Sequence, residues 1–144
     1  MTRLIALIAA IGLLAALPAT AAEGGAFILL PAQLNWQPNS KLPPGIKMAV
    51  VDGDPSKPGA FTMRLELAPG AHFPPHYHNK TEYVTVLSGT VKFATGKLAN
   101  TPTVTLPAGA YVEIPAGVVH WGTAQTAAVL QITGMGPFDV INAK

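Results

Sequence analysis

Apolar and polar residues alternate without a break through 61–67, with apolar side chains at the odd positions and polar or charged ones at the even positions. A period of two is typical of a β-strand that buries one face. Further short apolar runs, separated by Gly, Pro, Asn or Ser, occur at 83–87, 91–94, 104–106, 111–114 and 128–133. No stretch after Gly45 has the pattern of a helix. So many short strands in a chain of 144 residues predict an all-β fold, an antiparallel sandwich or barrel.

The first 22 residues have the features of an export signal. Arg3 supplies a positive charge, residues 4–17 are uniformly apolar, and residues 18–22 offer small residues at the A-x-A spacing of a cleavage site. A membrane anchor fits less well, because a spanning helix needs about 20 strongly apolar residues. We therefore predict a signal peptide at 1–21 that is cleaved near Ala21 or Ala22, no stable membrane anchor, and a periplasmic or secreted protein.

Prolines mark the segment that follows the signal. Residues 31–45 contain four prolines, which exclude a regular helix. We expect an irregular, Pro-rich N-terminal arm at 22–44. The remaining residues, 45–144, are long enough for one hydrophobic core and too short for two domains of ordinary size.

Charge and cysteine content narrow the possible partners and chemistry. The net charge is +2, and no run of lysines or arginines occurs, so nucleic acid is not an expected partner. The chain has no cysteine, which excludes disulfides, a thiolate nucleophile and a zinc–thiolate cluster. Any metal site in this protein must therefore use imidazole and carboxylate ligands.

Three of the four histidines lie close together in the chain, and the fourth is His120. On a strand, residues two apart point to the same face, so His76 and His78 are expected to present their imidazoles side by side. Residues 79–81 are expected to turn the chain, so that the carboxylate of Glu82 on the neighbouring strand reaches the same point. Two imidazoles and one carboxylate suit a divalent first-row metal.

At this point the spacing becomes specific to a known family. The residues Gly70, His76, His78, Glu82 and Gly89 match the first cupin motif, G-x5-H-x-H-x3-E-x6-G, at every position. The chain therefore resembles the cupins.

The second cupin motif, G-x5-P-x-G-x2-H-x3-N, resembles Gly109, Pro115, Gly117 and His120, with Ala124 in place of the final asparagine. That asparagine is not a metal ligand in cupins. The replacement therefore puts a local turn or an outer contact in question and leaves the ligand set intact.

The resemblance implies a double-stranded β-helix, or jelly-roll, barrel that holds one divalent transition metal through His76, His78, Glu82 and His120. Iron, manganese, nickel, copper, cobalt and zinc all accept such ligands, so the metal stays open. His72 falls outside the motif and is not expected to bind the metal. Protons compete for imidazoles, so we expect metal loss below about pH 6.

The motifs leave more than one class of function open. Glu66 and Glu113 alternate with apolar neighbours and are expected to face outward, which favours chemistry at the metal over acid–base chemistry by several carboxylates. In some cupin dioxygenases the glutamate ligand also acts as a base, which makes Glu82 the candidate catalytic residue.

The leading hypothesis is an exported, metal-dependent oxygenase that acts on a compact, partly apolar small molecule. The alternative is a non-catalytic periplasmic module that binds a metal or a small ligand, as a sensor or partner domain. A third possibility is a barrel whose main role is oligomer formation. Small cupins commonly form dimers, so a homodimer is a possible assembly.

Overall fold

The computed structural model describes residues 25–38, 41–97 and 100–144. The predicted signal peptide at 1–21 lies outside the described residues. The chain divides into two compact units, Met1–Gln33 and Leu34–Lys144.

In the described part of the first unit, Pro31–Gln33 forms a 3-10 turn. The amide of Leu30 donates a hydrogen bond to Oε1 of Gln33 at 2.7 Å, and the amide of Gln33 donates one to the carbonyl oxygen of Leu30 at 2.9 Å. No helix among the described residues has the length and apolarity that crossing a membrane requires.

The described residues of the second unit form β-strands whose pairings are all antiparallel. In chain order the strands are β1 (Gln37–Pro38), β2 (Ile46–Asp52), β3 (Gly59–Leu67), β4 (His72–His78), β5 (Glu82–Ser88), β6 (Thr90–Thr95), β7 (Val104–Pro107), β8 (Tyr111–Ile114), β9 (His120–Ala124), β10 (Ala128–Gly136) and β11 (Val140–Asn142). A six-stranded sheet has the order β1-β2-β3-β10-β5-β8, and a five-stranded sheet has the order β11-β4-β9-β6-β7. The all-β jelly-roll prediction is confirmed.

Strand alternation produces the buried face of the six-stranded sheet. Strands β3 and β10 pair along their full lengths, from Gly59 opposite Gly136 to Leu67 opposite Ala128. Phe61 on β3 points inward and is only 1% exposed. The expectation for the acidic residues also holds: Glu66 lies on the outer face, where its carboxylate is 3.2 Å from Nζ of Lys47, and Glu113 is exposed.

One hydrophobic core joins the inner faces of the two sheets. Its buried members are Ile46, Phe61, Leu65, Leu67, Ala71, Val86, Val91, Ala124, Ala128, Leu130 and Ile132. Both sheets contribute side chains to this core, so separating the sheets would expose its apolar surface to water. The two sheets therefore form a stable scaffold for any site that lies between them.

Glycines at the turns allow the strands to reverse sharply. The four motif glycines, Gly70, Gly89, Gly109 and Gly117, all have φ between 76° and 88°, a region that disfavours side chains. Gly89 connects β5 to β6, and a Cβ atom there would overlap the carbonyl oxygen of Ala127. Glycine is required at this turn by both its backbone angle and the close approach of a neighbouring chain segment.

Candidate metal centre

A cavity of about 850 Å³ lies between the two sheets. Most of its wall is apolar and comes from inward-facing strand residues, which include Met63, Val84, Phe93, Leu106, Leu130 and Ile132. Val84 and Val86 line the cavity on the same strand as Glu82, as strand alternation predicts. The site therefore combines a polar cluster with an apolar chamber.

Two groups of polar side chains line this cavity, and they bear imidazole, carboxyl, amide, hydroxyl or amine groups. The first group is buried, with each member at most 7% exposed, and consists of His76, His78, Glu82 and His120. The second group is solvent-exposed and consists of Lys41, Ser56, Asp139 and Asn142. Within the described residues, the titratable groups buried in the chamber wall are thus those of this cluster, and Nε1 of the lining residue Trp121 is a further buried donor without a hydrogen-bond partner there.

Strand β4, which carries His76 and His78, contains a one-residue irregularity that decides which histidines face the cavity. Phe73 pairs with Gly122 of β9, whereas His76 pairs with His120, so the register shifts by one residue across Pro74–Pro75. Two consecutive prolines lack the N–H groups that a regular ladder needs. The shift reverses the alternation, because one inserted residue moves all later side chains to the opposite face.

This reversal separates His72 from the other histidines. Phe73 lines the cavity, while His72 is exposed on the other face and its Nδ1 lies 2.8 Å from Oγ1 of Thr123. After the shift, His76 and His78 face inward again. The structure therefore places His72 outside the cluster, in agreement with the expectation from its position in the sequence.

The three buried imidazoles share one orientation. Nδ1 of His76 lies 2.7 Å from the carbonyl oxygen of Pro74, Nδ1 of His78 lies 2.8 Å from that of Asp139, and Nδ1 of His120 lies 3.0 Å from that of Val118. A carbonyl oxygen only accepts hydrogen bonds, so each Nδ1 carries the hydrogen and donates it. In the neutral ring, Nε2 is then a lone-pair donor to whatever lies at the centre of the cluster.

Glu82 adds a carboxylate to the same point. Its Oε2 lies 3.4 Å from Nε2 of His78 and 3.3 Å from Nε2 of His120. Nε2 of His78 is buried and makes no hydrogen bond of acceptable geometry within the described part of the chain, despite this short distance. The imidazoles and the carboxylate can share one buried space only if protons or a cation lie between them.

Burial and the neighbouring rings shift two pKa values in this cluster. Burial lowers the pKa of His76 to about 4, with repulsion by His120 and His78 as further contributions, so its ring stays neutral at pH 7. Burial alone would raise the pKa of Glu82, but the imidazoles of His120 and His78, whose Nε2 atoms lie 3.3 and 3.4 Å from its carboxylate, lower it to about 2. Both shifts keep these groups in the forms that bind metal ions, a neutral imidazole and a charged carboxylate.

The dimensions of the cluster suit a transition metal. The ligand atoms of His76, His78 and His120 all lie within 4.8 Å of one another. Two ligand atoms about 2.1 Å from a shared ion are roughly 3.0 Å apart at a right angle and roughly 3.4 Å apart at the tetrahedral angle. The contacts of Glu82 at 3.3 and 3.4 Å fall within this range. The three histidines can therefore form a metal site, and Glu82 lies where a fourth ligand would be.

Ala124, which stands in place of the motif asparagine, is not among the residues that line the cavity. Ala124 is 1% exposed and belongs to the hydrophobic core. Its backbone bonds the turn at Gly70 and Ala71 through hydrogen bonds of 2.8 and 2.9 Å. All three buried histidines already have carbonyl acceptors for Nδ1, so none of them needs an asparagine at position 124.

The segment between β10 and β11 contributes residues that local sequence patterns did not reveal. The carbonyl oxygen of Asp139 accepts the hydrogen bond from His78, and the ring of Phe138 stacks on His78 with centroids 4.3 Å apart. Asn79, which the sequence pattern places in a turn, bonds to the same segment. These contacts join residues about 60 positions apart, so no signal in the local sequence could have found them.

Residues 63–133 match the family model described as a cupin domain. Among solved structures with a similar fold, KdgF from Halomonas sp. is 18% identical, with a TM-score of 0.60 over 74% of this chain and 91% of the other. The polyketide cyclase RemF from Streptomyces resistomycificus is 15% identical, with a TM-score of 0.69 over 81% of this chain and 84% of the other. Salicylate 1,2-dioxygenase from Pseudaminobacter salicylatoxidans is 17% identical, with a TM-score of 0.56 over 67% of this chain and 30% of the other. No curated protein matches the chain. At these identities the likeness concerns the fold.

Proposed function

This chain is a cupin, with its family domain at residues 63–133, and we propose that it is a metal-dependent oxygenase acting on a compact, largely apolar organic substrate. The observation that carries the proposal is the convergence of three imidazoles, each with Nδ1 bonded to a carbonyl oxygen, and one carboxylate at the wall of an apolar cavity. His76, His78, Glu82 and His120 would hold one divalent transition metal. A bound metal of this kind supplies Lewis acidity and, for a redox-active ion, oxygen chemistry.

The chamber favours a substrate with an oxygen-donor head and an apolar body. Side chains such as Val84, Leu130 and Ile132 exclude water and pack against apolar groups. Apart from the buried cluster and the Nε1–H of Trp121, the polar groups that line the chamber are exposed, so most hydroxyl groups of a polyol would be buried there without partners. Each such hydroxyl costs about 1–3 kcal/mol. Phenols and diketones, whose few oxygens could all reach the cluster, fit this lining best.

The surroundings of Glu82 decide between its two possible roles. While it faces His78 and His120 its pKa is about 2, so it is a charged ligand and a weak base at neutral pH. If the carboxylate rotated away from both rings, burial against Val84 would dominate and raise its pKa, because desolvation disfavours the charged form. A base role for Glu82 therefore requires this rotation, and we assign it first as a ligand.

The test begins with the purified mature chain, whose N-terminus also checks the proposed export and cleavage near Ala21 or Ala22. Metal content is measured by elemental mass spectrometry, and oxygen uptake is measured against a panel of phenols and diketones. We expect about one metal ion per chain and oxygen uptake with at least one compound class.

Strand β4 offers a matched control for this experiment. The double variant His76→Ala/His78→Ala should lose most of its metal and its oxygen uptake, whereas His72→Ala on the same strand should retain both, because His72 lies outside the cavity. Undiminished metal content in the double variant would contradict the metal site. Binding of metal and organic ligand without any turnover would instead favour the non-catalytic periplasmic module.

A further inference from the structure

The three buried histidines differ in where they obtain the acceptor for Nδ1. His76 and His120 each use a carbonyl oxygen two residues earlier in the chain, those of Pro74 and Val118. His78 uses the carbonyl oxygen of Asp139, which is 61 residues later. Two rings are therefore oriented by acceptors close to them in the chain, and the orientation of the third depends on a distant loop.

This loop, residues 137–139 between β10 and β11, is held near the end of β4 by the pairing of β11 with β4 and, in addition, by the side chain of Asn79. Nδ2 of Asn79 donates hydrogen bonds to the carbonyl oxygen of Pro137 at 3.2 Å and to Oδ2 of Asp139 at 3.0 Å. Oδ1 of Asn79 accepts a hydrogen bond from the amide of Asp139 at 2.9 Å. Asn79 thus uses both ends of its amide to hold the residue whose carbonyl oxygen binds His78.

The same loop also contacts the face of the His78 ring. Phe138 stacks on His78 with centroids 4.3 Å apart and an interplanar angle of 21°. Phe138 also packs edge-to-face on Phe61, with centroids 5.2 Å apart, and Phe61 is 1% exposed in the core. The hydrogen bond at Nδ1 fixes which nitrogen carries the hydrogen, and the stacking restricts rotation of the ring.

We propose that Asn79 is a positioning residue, which holds the 137–139 loop so that Asp139 and Phe138 keep His78 ready to bind metal. This inference rests on the proposed function, in which His78 is a ligand. Asn79 does not touch the centre of the cluster and acts only through the loop. Among the three buried histidines, His78 is the one whose Nδ1 acceptor comes from the C-terminal part of the chain.

The experiment compares Asn79→Ala with Lys80→Ala, an exposed neighbour in the same turn, in otherwise full-length mature protein. Zn²⁺ affinity is measured by competition with a chromophoric chelator, and the state of each ring nitrogen in the metal-free protein is measured by long-range ¹H–¹⁵N NMR. Loss of an outer contact to a ligand histidine typically weakens metal binding about 10- to 100-fold, and we expect about 10-fold for Asn79→Ala. Lys80→Ala should match the wild type.

The NMR signals separate positioning from a general loosening of the structure. For Asn79→Ala we expect the His78 ring to lose its single protonated-Nδ1 signature, while His76 and His120 keep theirs. Unchanged His78 signals, or equal changes in all three rings, would overturn the proposal. Phe138→Leu keeps apolar volume but removes the stacking, and it should also disturb His78 alone, so it decides the question if Asn79→Ala does not fold. A wild type that binds no Zn²⁺ would refute the metal site, whereas the NMR of the metal-free protein would still test the loop.

Discussion

Acid should destabilise the metal-free protein through His76. Burial, the main cause, lowers the pKa of this ring from 6.5 to about 4. Above pH 6.5 the ring is neutral in both the folded and the unfolded chain. As the pH falls from 6.5 toward 4, the unfolded chain binds a proton that the folded chain does not, so stability is lost over this window. At about 1.4 kcal/mol per pKa unit, the loss attributable to His76 is about 2 kcal/mol at pH 5 and approaches about 3 kcal/mol near pH 4.

Urea unfolding of chelator-treated protein at pH 7 and pH 5 measures this effect. His76→Gln removes the titrating group, so the loss of unfolding free energy between the two pH values should be about 2 kcal/mol smaller than in the wild type. His72→Gln is the matched control, because His72 is exposed on the same strand, and it should retain the wild-type pH dependence. Equal pH dependence in His76→Gln and the wild type would refute the assignment of a lowered pKa to His76.

Three further outcomes follow from the structure. Metal should be released at a lower pH than from a site whose histidines have the ordinary pKa of 6.5, because His76 resists protonation until the pH approaches 4. Metal content after gel filtration at stepwise lower pH checks this. Phe61→Ala should cost about 3–5 kcal/mol in urea unfolding, because Phe61 is 1% exposed, and a cost below 1 kcal/mol would contradict its place in the core. Gly89→Ala should be more destabilising than Gly109→Ala in the same assay. Both have positive φ, but only at Gly89 would a Cβ overlap another chain segment, so equal costs would disprove the close approach.

Local patterns in the sequence were sufficient to predict much of the fold. The alternation in 61–67 marks β3 correctly, because burial of one face is recorded in every second residue. The motif glycines could be assigned to turns, since positive φ is a property of the single residue, and the structure gives φ of 81° at Gly70 and 80° at Gly117.

Part of the candidate site could be predicted from the sequence for the same reason. Spacing along β4 and into β5 brought His76, His78 and Glu82 to one place, and the resemblance to the second motif added His120. Strand alternation alone would have placed His72 on the same face as His76, because the two positions differ by an even number. The register shift at Pro74–Pro75 prevents this, and only the pairing of β4 with β9 reveals it.

The sequence by itself determined most strands, the turns and three of the clustered polar residues, because residue type and short spacing encode them, and the second cupin motif added His120. Tertiary structure alone decided the size of the chamber and the exposure of the polar side chains Lys41, Ser56, Asp139 and Asn142 that line it. It also decided the link from Asn79 through Asp139 to His78. These features depend on which distant strands pair and in which register. The residue types of the buried cluster could therefore be predicted from motifs in the sequence, whereas the acceptor that orients His78 exists only once β11 pairs with β4.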